Sequence, residues 1–248
     1  MSGHSKWATI KHKKGAADKA RGKLFAKLAR QIEVAAKGGG DIDANPTLRT
    51  AVQKAKAARM TNDAIDRAVK RGTGESDSGT YESIMYEGYA PGGVALLIDV
   101  LTDNRNRAGA EIRNVFTKLG GSMAEPGSVS WQFARKGIIV TAEGVDEDEV
   151  MMAALEAGAD DVVAEGENFR ITTDASAVLQ EKEALDAVGI ETISADAPLV
   201  SDNDVPVTDS GEAKSILRII EALEDNDDVQ DVFSNFDISD ELMEAATA

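Results

Sequence analysis

Between Gly72 and Gly79 the chain changes its hydrophobic period and its charge sign together. Upstream, apolar residues recur every three or four positions, the spacing of one helix face. Downstream they alternate or run continuously, as in strands. The run itself, Gly72-Thr-Gly-Glu-Ser-Asp-Ser-Gly79, is small, polar and glycine-rich, the composition of a domain linker. Residues 1–74 hold 17 Lys+Arg and 6 Asp+Glu, or +11, whereas residues 75–248 hold 10 and 38, or −28. One evenly patterned core cannot come from such a chain, so it is expected to fold in parts of opposite electrostatic character.

The formal net charge of −17 over 248 residues taken alone argues against nucleic acid, because a repulsion of that size would hold the chain off a phosphate backbone. Split by segment it says the reverse of the first part. Residues 1–37 carry 10 basic and 2 acidic side chains, the density of a phosphate-binding arm. No stretch approaches the roughly 18 to 20 uninterrupted apolar residues of a membrane span, and no apolar segment of a signal peptide follows the basic start. A cytoplasmic chain that acts as a monomer away from membranes is the expectation. With no cysteine there is no disulfide framework and no thiolate metal site.

Upstream of the linker the pattern predicts three helices. From Ala16 to Lys37, Ala17, Leu24, Leu28, Ile32 and Ala35 share one face, and Lys19, Lys23, Lys27 and Arg30 form a stripe opposite, expected to present charge to solvent. Gly38 to Gly40 ends this helix. Asn45 followed by Pro46 reads as an N-cap with proline at the first helical position of a second helix carrying Leu48, Val52 and Ala55. A third starts at Thr61 or Asn62 and stops at Gly72, with Asp63 in its first turn and Arg67, Lys70 and Arg71 in its last, so its charges complement the helix dipole.

Downstream, Ile84 to Tyr89 and Val94 to Leu101 read as strands joined through Ala90-Pro91-Gly92-Gly93, where a type II turn wants proline and glycine. Asp103 to Leu119 is a helix, and Val129, Trp131 and Phe133 alternate as a third strand. Residues 137–194 then read strand, helix, strand, strand, helix, strand, the order of a ferredoxin-like sandwich. The helix carrying Ala213, Ile216, Leu217, Ile220 and Leu223, and a strand near Val229 to Phe233, would complete the sheet begun at residue 80. The expected fold is therefore a multidomain α+β protein. A basic tail and three-helix domain occupy 1–74, a central α/β domain occupies 80–134 plus 205–238, and a ferredoxin-like domain is inserted over 135–204.

Catalytic material is poor. The two histidines, His4 and His12, sit among lysines in the first twelve residues, where nothing would hold them in a triad or a metal-ligand set. Acidic runs such as Asp146-Glu-Asp-Glu149 and Asp225-Asn-Asp-Asp228 fall on helix starts or turns and read as solvated, dipole-compensating or turn-forming groups. No GxxxxGK[ST] or GxGxxG run is present. No cofactor, metal or catalytic residue is expected. The opening segment is different: Lys6, Lys11, His12, Lys13 and Lys14 surround or follow Trp7 ahead of any packed helix. They suit an arm that follows phosphates and orders on contact, with Trp7 stacking on a base or anchoring the arm. Lys19, Arg21, Lys23, Lys27 and Arg30 continue the positive surface. A second set lies at a strand end, where Asn104 can cap a helix whose first turn carries Arg105, Asn106 and Arg107 against the dipole, an arrangement that suits a phosphate or carboxylate. The turn of Tyr89, Pro91, Gly92 and Gly93 gains interest if it lies beside that set.

Taken in order, Gly3-His-Ser-Lys-Trp7, Arg21-Gly-Lys23, Ala44-Asn-Pro46, Tyr86-Glu-Gly-Tyr89 with Pro91-Gly-Gly93, Asp103-Asn-Arg-Asn-Arg107 and Leu223-Glu-Asp-Asn-Asp-Asp-Val229 resemble the YebC/PmpR family over nearly the whole chain. The resemblance implies three domains, a helical one first and a ferredoxin-like one inserted in another, and no catalysis. It implies one of two roles: DNA-binding control of transcription, or action on the ribosome, where members help synthesis through proline-rich stalls near the peptidyl transferase centre. The residues themselves weigh against a DNA recognition helix. The third helix would offer Asp63 and Asp66 at the end from which such helices read bases. The expected partners are ribosomal RNA and the ribosome, with tRNA near the 87–93 and 102–107 loops, and duplex DNA is the alternative. An acidic module that binds basic proteins is a third reading.

Overall fold

The computed structural model describes residues 18–74 and 81–247, which fall into two compact units: Met1–Ser130 with Asp204–Ala248, and Trp131–Asn203. The first unit opens with three helices, α1 (Asp18–Ala36), α2 (Pro46–Ala57) and α3 (Asn62–Gly72). Asn45 caps α2 by accepting the Leu48 N–H at 3.1 Å, and its side-chain amide donates to the carbonyls of Ala35 and Gly39, so one residue ends α1 and starts α2. Leu28, Ile32 and Ala36 of α1 pack with Leu48, Val52, Ala55, Ile65 and Ala68. Leu24, expected on that face, is 45% exposed, because the stripe packs only from Leu28 onward. Gly72 closes α3 against α1. A Cβ there would lie 2.2 Å from the Glu33 carbonyl oxygen, so this position needs glycine for close approach; the chain turns out of the helix after it, at Gly74 with φ 82.

A four-stranded sheet begins with β1 (Glu82–Tyr89) and β2 (Ala95–Thr102), paired antiparallel with Tyr89 opposite Ala95 and Glu82 opposite Thr102. The connection is the tight turn Pro91–Gly93, in which Gly92 has φ 74 and ψ 4, the left-handed conformation of the third position of a type II turn. Helix α4 (Arg105–Leu119) follows, then β3 (Ser122–Ala124), which pairs with β1 and is too short to leave a period in the sequence. The third strand expected at Val129–Phe133 does not form. The N–H groups of Val129 and Ser130 go to the carboxylate of Glu87 instead of a neighbouring strand, and Ser130–Gln132 is a tight helical turn.

The second unit starts with β4 (Phe133–Thr141), so Phe133 belongs to this sheet. After it come α5 (Glu147–Ala157), β5 (Asp161–Glu165), β6 (Asn168–Asp174), α6 (Val178–Ala187), β7 (Thr192–Asp196) and β8 (Leu199–Ser201). The strands lie in the order β5-β6-β4-β7, each pair antiparallel, with β8 on the first residues of β4. Ile139, Ile171, Val150, Ala154 and Leu185 form the core under α5 and α6.

The chain then returns to the first unit through β9 (Val205–Val207), α7 (Ser210–Glu224), β10 (Val229–Ser234), β11 (Phe236–Ile238) and α8 (Asp240–Thr247). β10 pairs with β2, giving the order β10-β2-β1-β3, and so closes the sheet that residue 82 opens. β2 is thus central and its near-continuous apolar run is buried. Leu96, Ile98 and Val100 meet Ala108, Ile112 and Phe116 of α4 and Ile216, Ile219, Ile220 and Leu223 of α7. Each of the buried Val, Leu, Ile and Phe side chains contributes about 1.5–3 kcal/mol by burial, so this layer is a large store of stability in the unit.

Candidate nucleic-acid interface

Asp228 follows α7 by four residues and is buried at the end of β2. Its carboxylate is shared among three elements. One oxygen accepts from Arg30 Nη1 of α1 at 3.0 Å, and the other accepts from Thr102 Oγ1 at 2.8 Å and from Arg107 Nη2 of α4 at 2.7 Å. Burial by itself raises the Asp228 pKa. The hydrogen bonds from Arg107 and Thr102 and the charges of Arg107 and Arg30 outweigh it and hold the group below the ordinary carboxylate value. Arg107 is held correspondingly above its own ordinary value by its bonds to Asp228 and Asp103. The acidic turn read as solvated is therefore solvated only in part. Asp225 and Asp227 are exposed, and Asp228 is the buried hub of the junction.

The basic stripe on α1 meets the same turn. Lys23 Nζ donates to the Asp225 carbonyl at 3.0 Å and to its carboxylate at 3.2 Å, and Lys27 Nζ donates to the Glu224 carbonyl at 2.7 Å. Arg30 Nη1 also reaches the carbonyls of Asp227 and Leu101, and its guanidinium lies 5.2 Å from the centre of the Tyr81 ring. For Lys23, Lys27 and Arg30 this corrects the expectation that the stripe faces solvent. The carbonyls at the C-terminus of α7 lack intrahelical partners and carry the negative end of the dipole, and cations on α1 satisfy them. Lys19 and Arg21 lie on α1, but their side chains fall outside the described residues, as do Lys6, Trp7, Lys11, His12, Lys13 and Lys14 altogether.

At the α4 start, Asn104 is the cap, accepting the Arg107 N–H at 3.1 Å, while its own N–H donates to Thr102 Oγ1 at 3.0 Å. The helical ladder begins at Ala108, so the N–H groups of Arg105 and Asn106 precede it, and both side chains are exposed. Arg107 is committed to Asp103 and Asp228, whereas Arg105 projects at the surface. A shallow cleft of about 360 Å³ lies here, lined by Arg30, Asp103, Arg107, Glu111 and Asn226 to Asp228. Its mixed charges make it a poor anion pocket in this conformation.

The other predicted loop is elsewhere. Tyr89 opposes Ala95 at the turn end of the β1–β2 hairpin, and Thr102 stands at its open end, seven residues along β2. At about 3.3 Å per residue the Tyr89–Gly93 turn and the 102–107 segment are roughly 23 Å apart, so they do not line one small site. Tyr89 is tied down by its hydroxyl to the Ser128 carbonyl at 3.3 Å, and Gly92 faces Glu212 in the first turn of α7.

Two groups escape sequence reasoning. Glu87 is buried and accepts from the N–H groups of Gly127 at 2.7 Å, Val129 at 2.6 Å and Ser130 at 3.1 Å. Burial raises its pKa, but the three backbone bonds prevail and lower it. A charged residue inside the strand pattern Tyr86-Glu-Gly-Tyr89 is the signal that could have marked it. The second is Arg59, exposed at the α2–α3 turn with φ 63. The N–H of Met60 bonds to the Ala55 carbonyl and that of Arg59 to the Lys56 carbonyl, both at 2.9 Å, the Schellman pattern in which glycine usually takes the left-handed position. An arginine there is strained by about 1 kcal/mol or more. Lys56, Arg67 and Lys70 are also exposed on α2 and α3, whereas Arg71 is paired with Glu33. Among the described residues no three His, Cys, Asp or Glu side chains come together as a metal-ligand set, and no helix is long and apolar enough to cross a membrane.

Two family models match the chain, "TACO1/YebC protein N-terminal domain" over residues 5–75 and "TACO1/YebC second and third domain" over residues 81–236. The chain is 53% identical over 251 residues to a protein of Halothermothrix orenii, covering 100% of this chain and 99% of that one, and 56% identical over 246 residues to one of Rubrobacter xylanophilus, covering 98% of each. Both bear the name "Probable transcriptional regulatory protein". A solved structure, that of the conserved hypothetical protein Aq1575 from Aquifex aeolicus, is similar with a TM-score of 0.78 and 42% identity, covering 89% of this chain and 91% of that one.

Proposed function

The chain belongs to the TACO1/YebC family, and from that membership we propose that it is a non-catalytic, nucleic-acid-binding regulator of gene expression that acts on ribosomal RNA. The observation that carries the reading is the charge partition: residues 1–74 bear +11 beside a remainder of −28. The basic part grips phosphate, and the acidic part limits indiscriminate coating of RNA or DNA. The gripping surface consists of the lysine-rich opening segment together with the exposed Lys56, Arg59, Arg67 and Lys70. Holding an arginine in a glycine conformation at a helix turn supports a role for that residue beyond stability. Lys23, Lys27 and Arg30 organise the surface through the α7 terminus, and Arg105 extends it at the start of α4. On the ribosome the protein eases synthesis through proline-rich stalls. We further propose the three-domain division expected over 1–74, 80–134 with 205–238, and 135–204, with the start of the last, a ferredoxin-like domain, moved forward to Trp131 because its first strand begins at Phe133.

Sedimentation with ribosomes through a gradient is the test, with the salt dependence of binding as its quantitative arm. Replacing Lys11, Lys13, Lys14 and Arg59 with glutamine should reduce the slope of log K against log salt by roughly 0.7 to 0.9 per lost phosphate contact. Protein that stays at the top of the gradient at low salt defeats the ribosomal reading.

Regulation of transcription by binding duplex DNA is the second reading, and the name of the two relatives favours it. Against it stands α3, with Asp63 and Asp66 exposed in its first half and Lys70 and Arg71 in its last turn. A recognition helix contacts bases mainly from its N-terminal part. A footprint at a defined operator that survives competition from bulk DNA and ribosomal RNA would establish this reading over the first.

A further inference from the structure

The second unit exposes apolar side chains in a way the first does not. Seven of the ten large hydrophobic residues exposed among the described residues lie in it, including Met151 at 50%, Met152 at 66% and Leu155 at 77% on α5, and Leu179 at 48% on α6. The sheet-facing side of α5 is filled by Val150 and Ala154, so Met151, Met152 and Leu155 form a second apolar stripe, at i, i+1 and i+4, on the outer face. Val188, just past α6, is 63% exposed. A helix that is apolar on both faces is incompletely buried by its own domain, and an exposed patch of this kind marks an interaction surface.

What covers it can be read from the charge around it. Residues 131–203 contain 17 acidic and 4 basic side chains, and α5 itself has none of the latter. At 3.6 residues per turn Asp148 lies in line with the stripe one turn before it, and Glu149 and Glu156 lie together along its Met152 edge, all exposed, so carboxylates flank the stripe at one end and along one side. The one lysine of α6, Lys182, is paired with Asp186. An anionic membrane or a nucleic acid would be repelled from such a border. Methionine is unbranched and polarisable and adapts to the side chains of an incoming helix better than a β-branched residue does.

We propose that the outer face of α5, with Met151, Met152 and Leu155 at its centre, is a docking site for a basic amphipathic helix of a partner protein. Apolar anchors of the partner at i, i+3 or i+4, and i+7 lie on the stripe, and its Lys and Arg residues meet the flanking carboxylates. The proposal does not depend on the nucleic-acid reading, since it uses none of the same residues.

The test uses the full chain and two fluorescent 18-residue Leu/Lys peptides of identical composition, one with leucines at helical spacing and one scrambled, in a binding titration by anisotropy at 0.15 M salt. The periodic peptide should bind at least tenfold more tightly than the scrambled one. Met152→Gln with Leu155→Gln should abolish that preference while leaving the circular dichroism spectrum and thermal midpoint unchanged, because both side chains are exposed. Charge-reduced Glu149→Gln with Glu156→Gln should weaken both peptides. Equal binding of the two peptides, or a preference that survives the Met152 and Leu155 changes, overturns the proposal and leaves only non-specific charge attraction.

Discussion

Arg30 of α1 stands 3.0 Å from the carboxylate of Asp228, with side-chain exposures of 18% and 6%, so the helical part and the sheet of the first unit meet in a nearly buried ion pair. The Lys23–Asp225 pair beside it has exposures of 36% and 73%. Solvent screens the second and much less the first.

A double-mutant cycle separates them. Arg30→Met and Asp228→Asn should show a coupling energy of about 1–3 kcal/mol in urea denaturation, because each change leaves the other group short of a partner in a water-poor setting. The corresponding Lys23 and Asp225 cycle should give less than about 0.5 kcal/mol. Similar values for the two cycles would mean that burial of Asp228 does not decide the strength of this junction.

Glu87 makes stability depend on acid. Its folded pKa lies below the unfolded value of about 4.3, so its contribution is fully present above that value and is lost as pH falls through the folded pKa. Asp228 acts in the same direction from an unfolded value of about 3.9. Glu87→Gln keeps the shape, but its amide cannot accept all three N–H groups, so it should cost about 1–3 kcal/mol at neutral pH. The gap from the parent protein should narrow between pH 5 and 3, measured by chemical denaturation at each pH. A gap that stays constant over that interval would remove Glu87 from the acid response.

At Arg59 stability and function should part. Arg59→Gly relieves the left-handed strain and gives back some of the gain through the greater freedom of glycine in the unfolded chain, for a net increase of about 0.5–1 kcal/mol. Binding to ribosomal RNA should weaken at the same time. A thermal melt and a binding titration on the same sample check both, and a variant that is no more stable would show that the turn accommodates arginine without strain.

Legibility followed the range of the interactions. The Asn45-Pro46 cap and the Asn104 cap are made within four residues of chain and could be read directly, whereas Gly72, read as a helix stop, is required by its approach to Glu33 on another helix. The strand expected at Val129–Phe133 failed because its backbone donors are claimed by Glu87, some forty residues away, and alternation carries no record of such a partner. β3, with three residues, is placed by its register on β1 and by Met123 against the core, both of them contacts beyond its own stretch of chain.

The candidate site divides on the same line. Composition and order along the chain alone determined that the first 74 residues are basic and the remainder acidic, since charge is summed without reference to folding, and periodicity placed the three helices of residues 18–72. Only the tertiary structure decided which charges are available. It turns Lys23 and Lys27 onto the end of α7 and Arg30 onto the turn after it, because the negative end of a helix dipole attracts cations that the sequence places about two hundred residues away. It also buries Asp228 between two arginines and sets the Tyr89–Gly93 turn and the Arg105 segment at opposite ends of one strand. A strand's length fixes that separation, and the pairing that makes a strand is a property of the folded chain.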